Sequence, residues 1–197
     1  DTIARGEGED RSGTLIADAV RSAGGDVVAR DVLPDDQERI ASRLRSYADA
    51  LGVDLVLTTG GSGVAPRDVT PEATLSVVDR LVPGLVEAAR IQTLGKTPLA
   101  MVARGVAGIR RRTLIVNLPG SPKAATENLT AVAEILPHAV MIVQGVDPKL
   151  VRSGGAKSAK PAAAHPSNGD HAHSHDKSAA QAPAPAGAMA KNVGGPT

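Results

Sequence analysis

The chain has no cysteine, no phenylalanine and no tryptophan, and its one aromatic side chain is Tyr47. Without cysteine there are no disulfides, thiolate metal sites, iron–sulfur clusters or thiol nucleophiles. Without exposed aromatic rings there is no stacking platform for single-stranded nucleic acid. Charge of one sign is not in excess either. The 22 Lys and Arg against 21 Asp and Glu leave a net charge of +1, so no field steers the chain onto a polyanion. No apolar run approaches the ~20 residues of a membrane helix. No signal-peptide pattern follows Asp1. The expectation is a cytoplasmic protein with neither nucleic-acid nor membrane partners.

What is present is an aliphatic core. Apolar residues make up 42% of 197 residues, a length that suits one domain with a tail. The composition changes near Arg152. Residues 1–152 carry the hydrophobic patterning and are expected to form the domain. Residues 153–197 are rich in Ala, Pro, Gly, Ser and Lys, and are expected to be a disordered tail or linker, because they have too little apolar surface to offset ordering entropy. Within that stretch His165, His171, His173 and His175 are of metal-ligand type. A flexible linker without a fixed metal site is the alternative reading.

Residues 1–152 alternate two periods. A helix is expected over Arg11–Ala23, closed by Gly24-Gly25. Asp26–Val32 reads as a strand ending at Pro34. Ile40, Leu44, Tyr47, Ala48 and Leu51 lie on one helix face, which Asp35 or Asp36 caps and Gly52 ends. Asp54–Thr58 is a short apolar strand of the kind buried in parallel sheets. Thr70-Pro71-Glu72 opens a helix, with Thr70 as the capping hydroxyl. Leu99–Val102 and Thr113–Asn117 read as strands. Ser121-Pro122 opens one long final helix bearing Ala125, Leu129, Val132 and Leu136, with His138 packed or facing solvent. The class is α/β, a doubly wound sheet whose ligands bind at strand carboxyl ends. A helix ahead of the first strand normally follows another strand, so a strand upstream of Asp1 is expected.

Four segments carry chemistry. Asp35-Asp36, at the end of an expected strand, can hold Mg²⁺ or cap a helix. Thr59-Gly60-Gly61-Ser62-Gly63 allows close backbone approach to phosphate or a polar ring, and Asp68 follows it as either a cap or a metal ligand. The run is neither a Walker loop nor a dinucleotide fingerprint. Arg104 and the cluster Arg110-Arg111-Arg112 suit phosphate, or a solvated hairpin turn. Pro119-Gly120-Ser121-Pro122-Lys123 makes an anion-ready helix start, or a plain strand-to-helix loop.

Together these segments are more specific than any one of them. Thr58–Thr74, then Gly108-Ile109-Arg110 and Asn117–Pro122, resemble the molybdopterin-binding family, and within it the adenylyltransferase type that includes the G domains of plant Cnx-type proteins and gephyrin. Asp10–Gly13 and Leu33-Pro34-Asp35 match it too. The resemblance implies a three-layer α/β sandwich with a mostly parallel central sheet, usually a homotrimer. It implies a nucleotidyltransferase of molybdenum-cofactor biosynthesis that moves AMP from Mg-ATP to molybdopterin and releases pyrophosphate. Asp35 and Asp68 would be the catalytic acids, acting through Mg²⁺. Thr59, Gly60, Gly61, Ser62 and Gly63 would contact nucleotide and pterin phosphate. Arg104 and the Pro119-Gly120-Ser121-Pro122-Lys123 turn would line the pterin pocket. A molybdate-inserting domain, on the same or another chain, would be the partner, and residues 153–197 resemble the linker of such fusions.

The sequence departs from the family pattern in three places. The strand that opens its counterparts is represented only by Asp1-Thr2. Ser62 stands where Thr is usual, which keeps the hydroxyl. Ala103 stands where Ser is common, which removes one hydrogen bond of ~0.5–1.5 kcal/mol. That loss suits a second reading, a molybdopterin-binding or scaffold module with weakened catalysis.

Overall fold

The structure is a computed structural model and describes residues 8–147. The readings for residues 153–197, including the four tail histidines, lie outside the described residues.

Strand β4 (Thr113–Leu118) organises the domain, and all six of its residues are buried. Side chains alternate across a strand, so Leu114, Val116 and Leu118 point to one side and Ile115 to the other. The first side packs under α1 (Arg11–Ser22), α4 (Pro83–Leu94), α5 (Pro122–Val132) and α6 (Leu136–Val143), through Ile16, Leu85, Ala89, Leu129 and Leu136. The second packs on α2 (Gln37–Arg45) and α3 (Thr70–Leu75), through Ile40, Ala41, Leu44, Ala73 and Val77. The result is a helix–sheet–helix sandwich of the α/β class. β1 (Leu55–Thr59) runs parallel to β4, with Thr59 opposite Leu118. β3 (Ala107–Arg110) is antiparallel to β4, and the two-residue β2 (Arg80–Leu81) is antiparallel to β3, giving the order β1-β4-β3-β2. Among the described residues the sheet is therefore mixed, with one parallel pairing. None of the described helices is long and apolar enough to cross a membrane.

Several elements differ from expectation. Asp26–Val32 is not a strand, because a strand needs a ladder and none of the described residues offers one. Side chains hold the segment instead. Arg30 Nη2 donates to Asp10 Oδ2 at 2.7 Å, while Asp31 accepts from the Tyr47 hydroxyl and pairs with Arg43. Leu99–Val102 lies in a 3₁₀ turn, Pro98–Val102. Pro98 sits in its first turn, the Thr97 hydroxyl accepts from Leu99 N, and Leu99 and Met101 stay about 70% exposed, so nothing pairs or buries them as a strand. The last helix breaks into α5 and α6, because Pro137 lacks the N–H and crowds the preceding turn. The α2 helix continues into a wider π turn over Ser46–Leu51, which Gly52 ends in the left-handed region. Thr70 is the first helical residue of α3 rather than its cap. α4, β2 and β3 had no counterpart in the expected order. His138 is half-buried on α6.

Candidate functional site

β1 and β4 run parallel, so their carboxyl ends deliver two loops to one edge of the sheet. The loop after β1 is glycine-rich, and the loop after β4 is Pro119-Gly120-Ser121. They touch. Gly60 N donates to Leu118 O at 3.2 Å, and a Cβ on Gly120 would stand 3.1 Å from Gly60 Cα. A side chain at Gly120 would push the loops apart, while at Gly60 it is the φ of +94° that calls for glycine. The amino end of α1 closes on the same place, where the buried Ser12 hydroxyl donates to Gly120 O at 2.7 Å.

The structure divides the Asp35-Asp36 pair. Asp36 caps α2, its Oδ1 accepting from Arg39 N at 2.9 Å. Asp35 turns to the glycine loop, its Oδ1 lying 3.3 Å from where a Cβ on Gly61 would stand. Asp68 meets the same loop from its other end, with Oδ2 2.8 Å from where a Cβ on Gly63 would stand. Asp68 Oδ2 also accepts from Ala65 N at 2.9 Å. Two carboxylates 33 residues apart in sequence (68 − 35) thus border one three-residue stretch of backbone. Among the described residues no group of three or more His, Asp or Glu forms a fuller ligand set. A pair of hard carboxylates without nitrogen or sulfur donors suits Mg²⁺, which takes one or two carboxylates and completes its shell with substrate phosphates and water. An open cleft of about 450 Å³ lies beside Asp68, walled also by Val64, Pro66, Glu72 and Arg104.

The other expected site residues fall as follows. Thr59 ends β1, and Gly61 O accepts from Thr70 N at 3.0 Å. Ser62 is buried, and its hydroxyl donates to Leu118 O at 3.3 Å, tying the two loops together. Ser121 caps α5 by accepting from Ala124 N at 3.2 Å, Pro122 begins that helix, and Lys123 is exposed beside it. Arg104 reaches the glycine loop with its side chain. Arg110, Arg111 and Arg112 do not join the site. They occupy the opposite end of β4, where Arg110 and Arg111 pair with Asp49 and Arg112 donates to Gln144 O. The hairpin-turn alternative holds for them.

Glu72 and Arg90 of this neighbourhood were given no role by sequence reasoning, and Asn117 was read only as part of the strand-to-helix segment. Asn117 is buried and fully used, donating to Thr58 and Thr74 hydroxyls at 3.0 and 2.9 Å and accepting from Val106 N at 3.2 Å. An Asn ending an otherwise apolar strand is the signal that could have found it. Glu72 reads as an ordinary first-turn acid, yet it pairs with Arg104. Arg90 reads as a surface cation on α4. Its Nη2 donates to Ala103 O at 3.0 Å, and its Nε is buried without a partner among the described residues. Arg90 and Ala103 line a cavity of about 20 Å³, room for one water-sized group.

A helix–sheet–helix sandwich whose parallel strands β1 and β4 bring a glycine loop to their carboxyl ends has the α/β architecture in which ligands bind at that edge. The chain belongs to the family described as "Probable molybdopterin binding domain", whose model matches residues 1–138. It is 39% identical over 145 residues to the molybdopterin adenylyltransferase of Haemophilus influenzae, covering 66% of this chain and 74% of that one. It is 41% identical over 130 residues to the molybdenum cofactor synthesis protein cinnamon of Drosophila melanogaster, covering 66% of this chain but only 22% of the fly protein's length. Among solved structures, the molybdopterin biosynthesis enzyme MoaB of Thermus thermophilus superposes with a TM-score of 0.70 at 50% identity, covering 74% of this chain and 91% of that one.

Proposed function

We propose that the chain is a molybdopterin adenylyltransferase acting in molybdenum-cofactor biosynthesis. One observation carries this reading: Asp35 and Asp68 border the same glycine loop, and Asp68 also walls an open cleft. The family and the relatives named above support it. A terminal phosphate oxygen of molybdopterin attacks the α-phosphorus of ATP, a new P–O–P bond forms, the α–β bond breaks, and pyrophosphate leaves. Such transfers depend on positioning and charge neutralisation more than on covalent help from the protein. Asp35 and Asp68 would hold Mg²⁺, which neutralises triphosphate charge when bound. The backbone of Gly60, Gly61 and Gly63 lets phosphate approach closely. Ser62 ties the two loops together, and Ser12 ties the second of them to α1. The Pro119–Lys123 turn faces the pterin. On this reading the protein works in the cytoplasm as a homotrimer, and its adenylylated product passes to a molybdate-inserting domain that residues 153–197 could tether.

The full chain, given molybdopterin and Mg-ATP, is expected to release pyrophosphate. Asp68→Ala is expected to lower that rate on the order of 100-fold, the scale of removing one preorganised electrostatic group. Pterin binding by the unaltered chain with no pyrophosphate release would instead support the second reading, a binding module. The observation favouring that reading is Ala103, which puts no hydroxyl into the Arg90 cavity.

A further inference from the structure

The family resemblance implies that Arg104 lines the pterin pocket, but the structure spends most of its donors inside the protein. A guanidinium carries five N–H groups. Arg104 Nε donates to Gly63 O at 2.5 Å, Nη2 donates to Asp68 O at 2.6 Å and reaches Glu72 Oε2 at 3.5 Å, and Nη1 donates to Glu72 Oε1. Four of the five are thus engaged, and the backbone N–H donates to Ser62 O at 2.9 Å. One residue therefore ties down three carbonyls, spread along the loop that ends at Asp68. Arg90 braces it from behind by donating to Ala103 O.

Glu72 is the only carboxylate paired with Arg104 among the described residues. An isolated exposed ion pair contributes little. This one differs, because the same guanidinium also satisfies two backbone carbonyls, and Glu72 holds the edge of it that those carbonyls leave free. The Arg104 guanidinium keeps the Glu72 carboxyl below its ordinary range, so the pair stays charged at neutral pH. Both residues wall the cleft beside Asp68. A polyphosphate entering that cleft competes for the guanidinium, and without Glu72 only the carbonyls of Gly63 and Asp68 oppose its withdrawal from the loop.

We propose that Glu72 is a positioning residue: its carboxylate anchors Arg104 as a clamp across the glycine loop, and the clamp fixes where Asp68 presents its own carboxylate. The proposal rests on the adenylyltransferase reading for its catalytic consequence, though the clamp itself does not.

The test uses the full chain with Glu72→Ala, Glu72→Gln, Arg104→Ala and the Glu72→Ala/Arg104→Ala double variant, each checked for folding by circular dichroism. Amide hydrogen exchange is read at Ala65 and Asp68, whose N–H groups bond within the loop to Asp68 Oδ2 and Ala65 O. Glu72→Ala is expected to speed exchange at both amides about 10-fold, Glu72→Gln less because its oxygen still accepts, and the double variant no more than Arg104→Ala alone. The kcat for pyrophosphate release is expected to fall about 10–100-fold, with the KM for Mg-ATP held within about 3-fold. Unchanged exchange in Glu72→Ala, or effects that multiply in the double variant, overturns the clamp. A raised KM with unchanged kcat overturns the positioning role. If the unaltered chain releases no pyrophosphate, the adenylyltransferase reading fails while the exchange comparison still decides the clamp.

Discussion

Gly61 shows how narrowly the site is drawn. Its φ of +60° lies in the left-handed region, and a Cβ there would stand 2.5 Å from Thr70 Oγ1 and 3.3 Å from Asp35 Oδ1. Gly24 has a φ of +84° but nothing within 4 Å of its Cβ position. Both alanine substitutions pay the left-handed penalty of about 1–2 kcal/mol. Only Gly61→Ala also drives against the Thr70 hydroxyl and crowds the Asp35 carboxylate. Urea unfolding is expected to show Gly24→Ala destabilised by about that penalty and Gly61→Ala by more. Pyrophosphate release is expected to fall in Gly61→Ala alone; equal activity in the two variants would separate Asp35 from the chemistry. At this scale the sequence was informative about acids and glycines, because their residue types announce their chemistry. It was silent about Glu72 and Arg90, whose meaning lies in partners 32 and 13 residues away.

The elements were legible where burial and period agreed. β1 and β4 are short and apolar with helices on both sides, so their composition alone marks them as strands. α1 and α2 carry caps and single apolar faces. Asp26–Val32 and Leu99–Val102 have strand composition but no ladder, and no local pattern reports whether a partner is present. α4 was missed because its inward face is narrow, Leu85, Ala89 and Thr93, while Ile91 lies outward and 73% exposed. The extended segment 26–34 depends on side-chain anchors, and this has a consequence in alkali. Burial first, then the hydrogen bond to Asp31, pushes the Tyr47 hydroxyl from its ordinary 10.0 up to about 12. A proton held more tightly in the folded state stabilises it fully below pH 10, and the gain disappears as pH rises toward about 12. Tyr47→Phe is expected to be less stable than the parent at pH 8–9, with the gap in urea midpoints closing between pH 10 and 12. A gap constant across that window would show that the hydroxyl does not anchor the segment.

At the scale of the molecule, an apolar surface stands open among the described residues. α4 and the 3₁₀ turn pack together and expose Ile91 at 73%, Leu94 at 41%, Leu99 at 74%, Met101 at 70% and Val102 at 45%. Single exposed apolar residues are ordinary, but a contiguous group marks a surface that something covers. The composition offers no excess charge to keep such a surface apart from its copies. Whether the proposed homotrimer meets on this patch is open to a two-residue test, because Leu99 and Met101 share one turn. Sedimentation velocity is expected to give the unaltered chain a mass near three times 19.9 kDa, and Leu99→Asp/Met101→Asp a mass near 19.9 kDa with unchanged circular dichroism. Charges at both positions would have to be desolvated to keep an interface there, a cost of several kcal/mol per ion that an apolar contact of this kind does not offset. A trimer that survives both charges places its interface on another face, and a monomeric parent removes the trimer altogether.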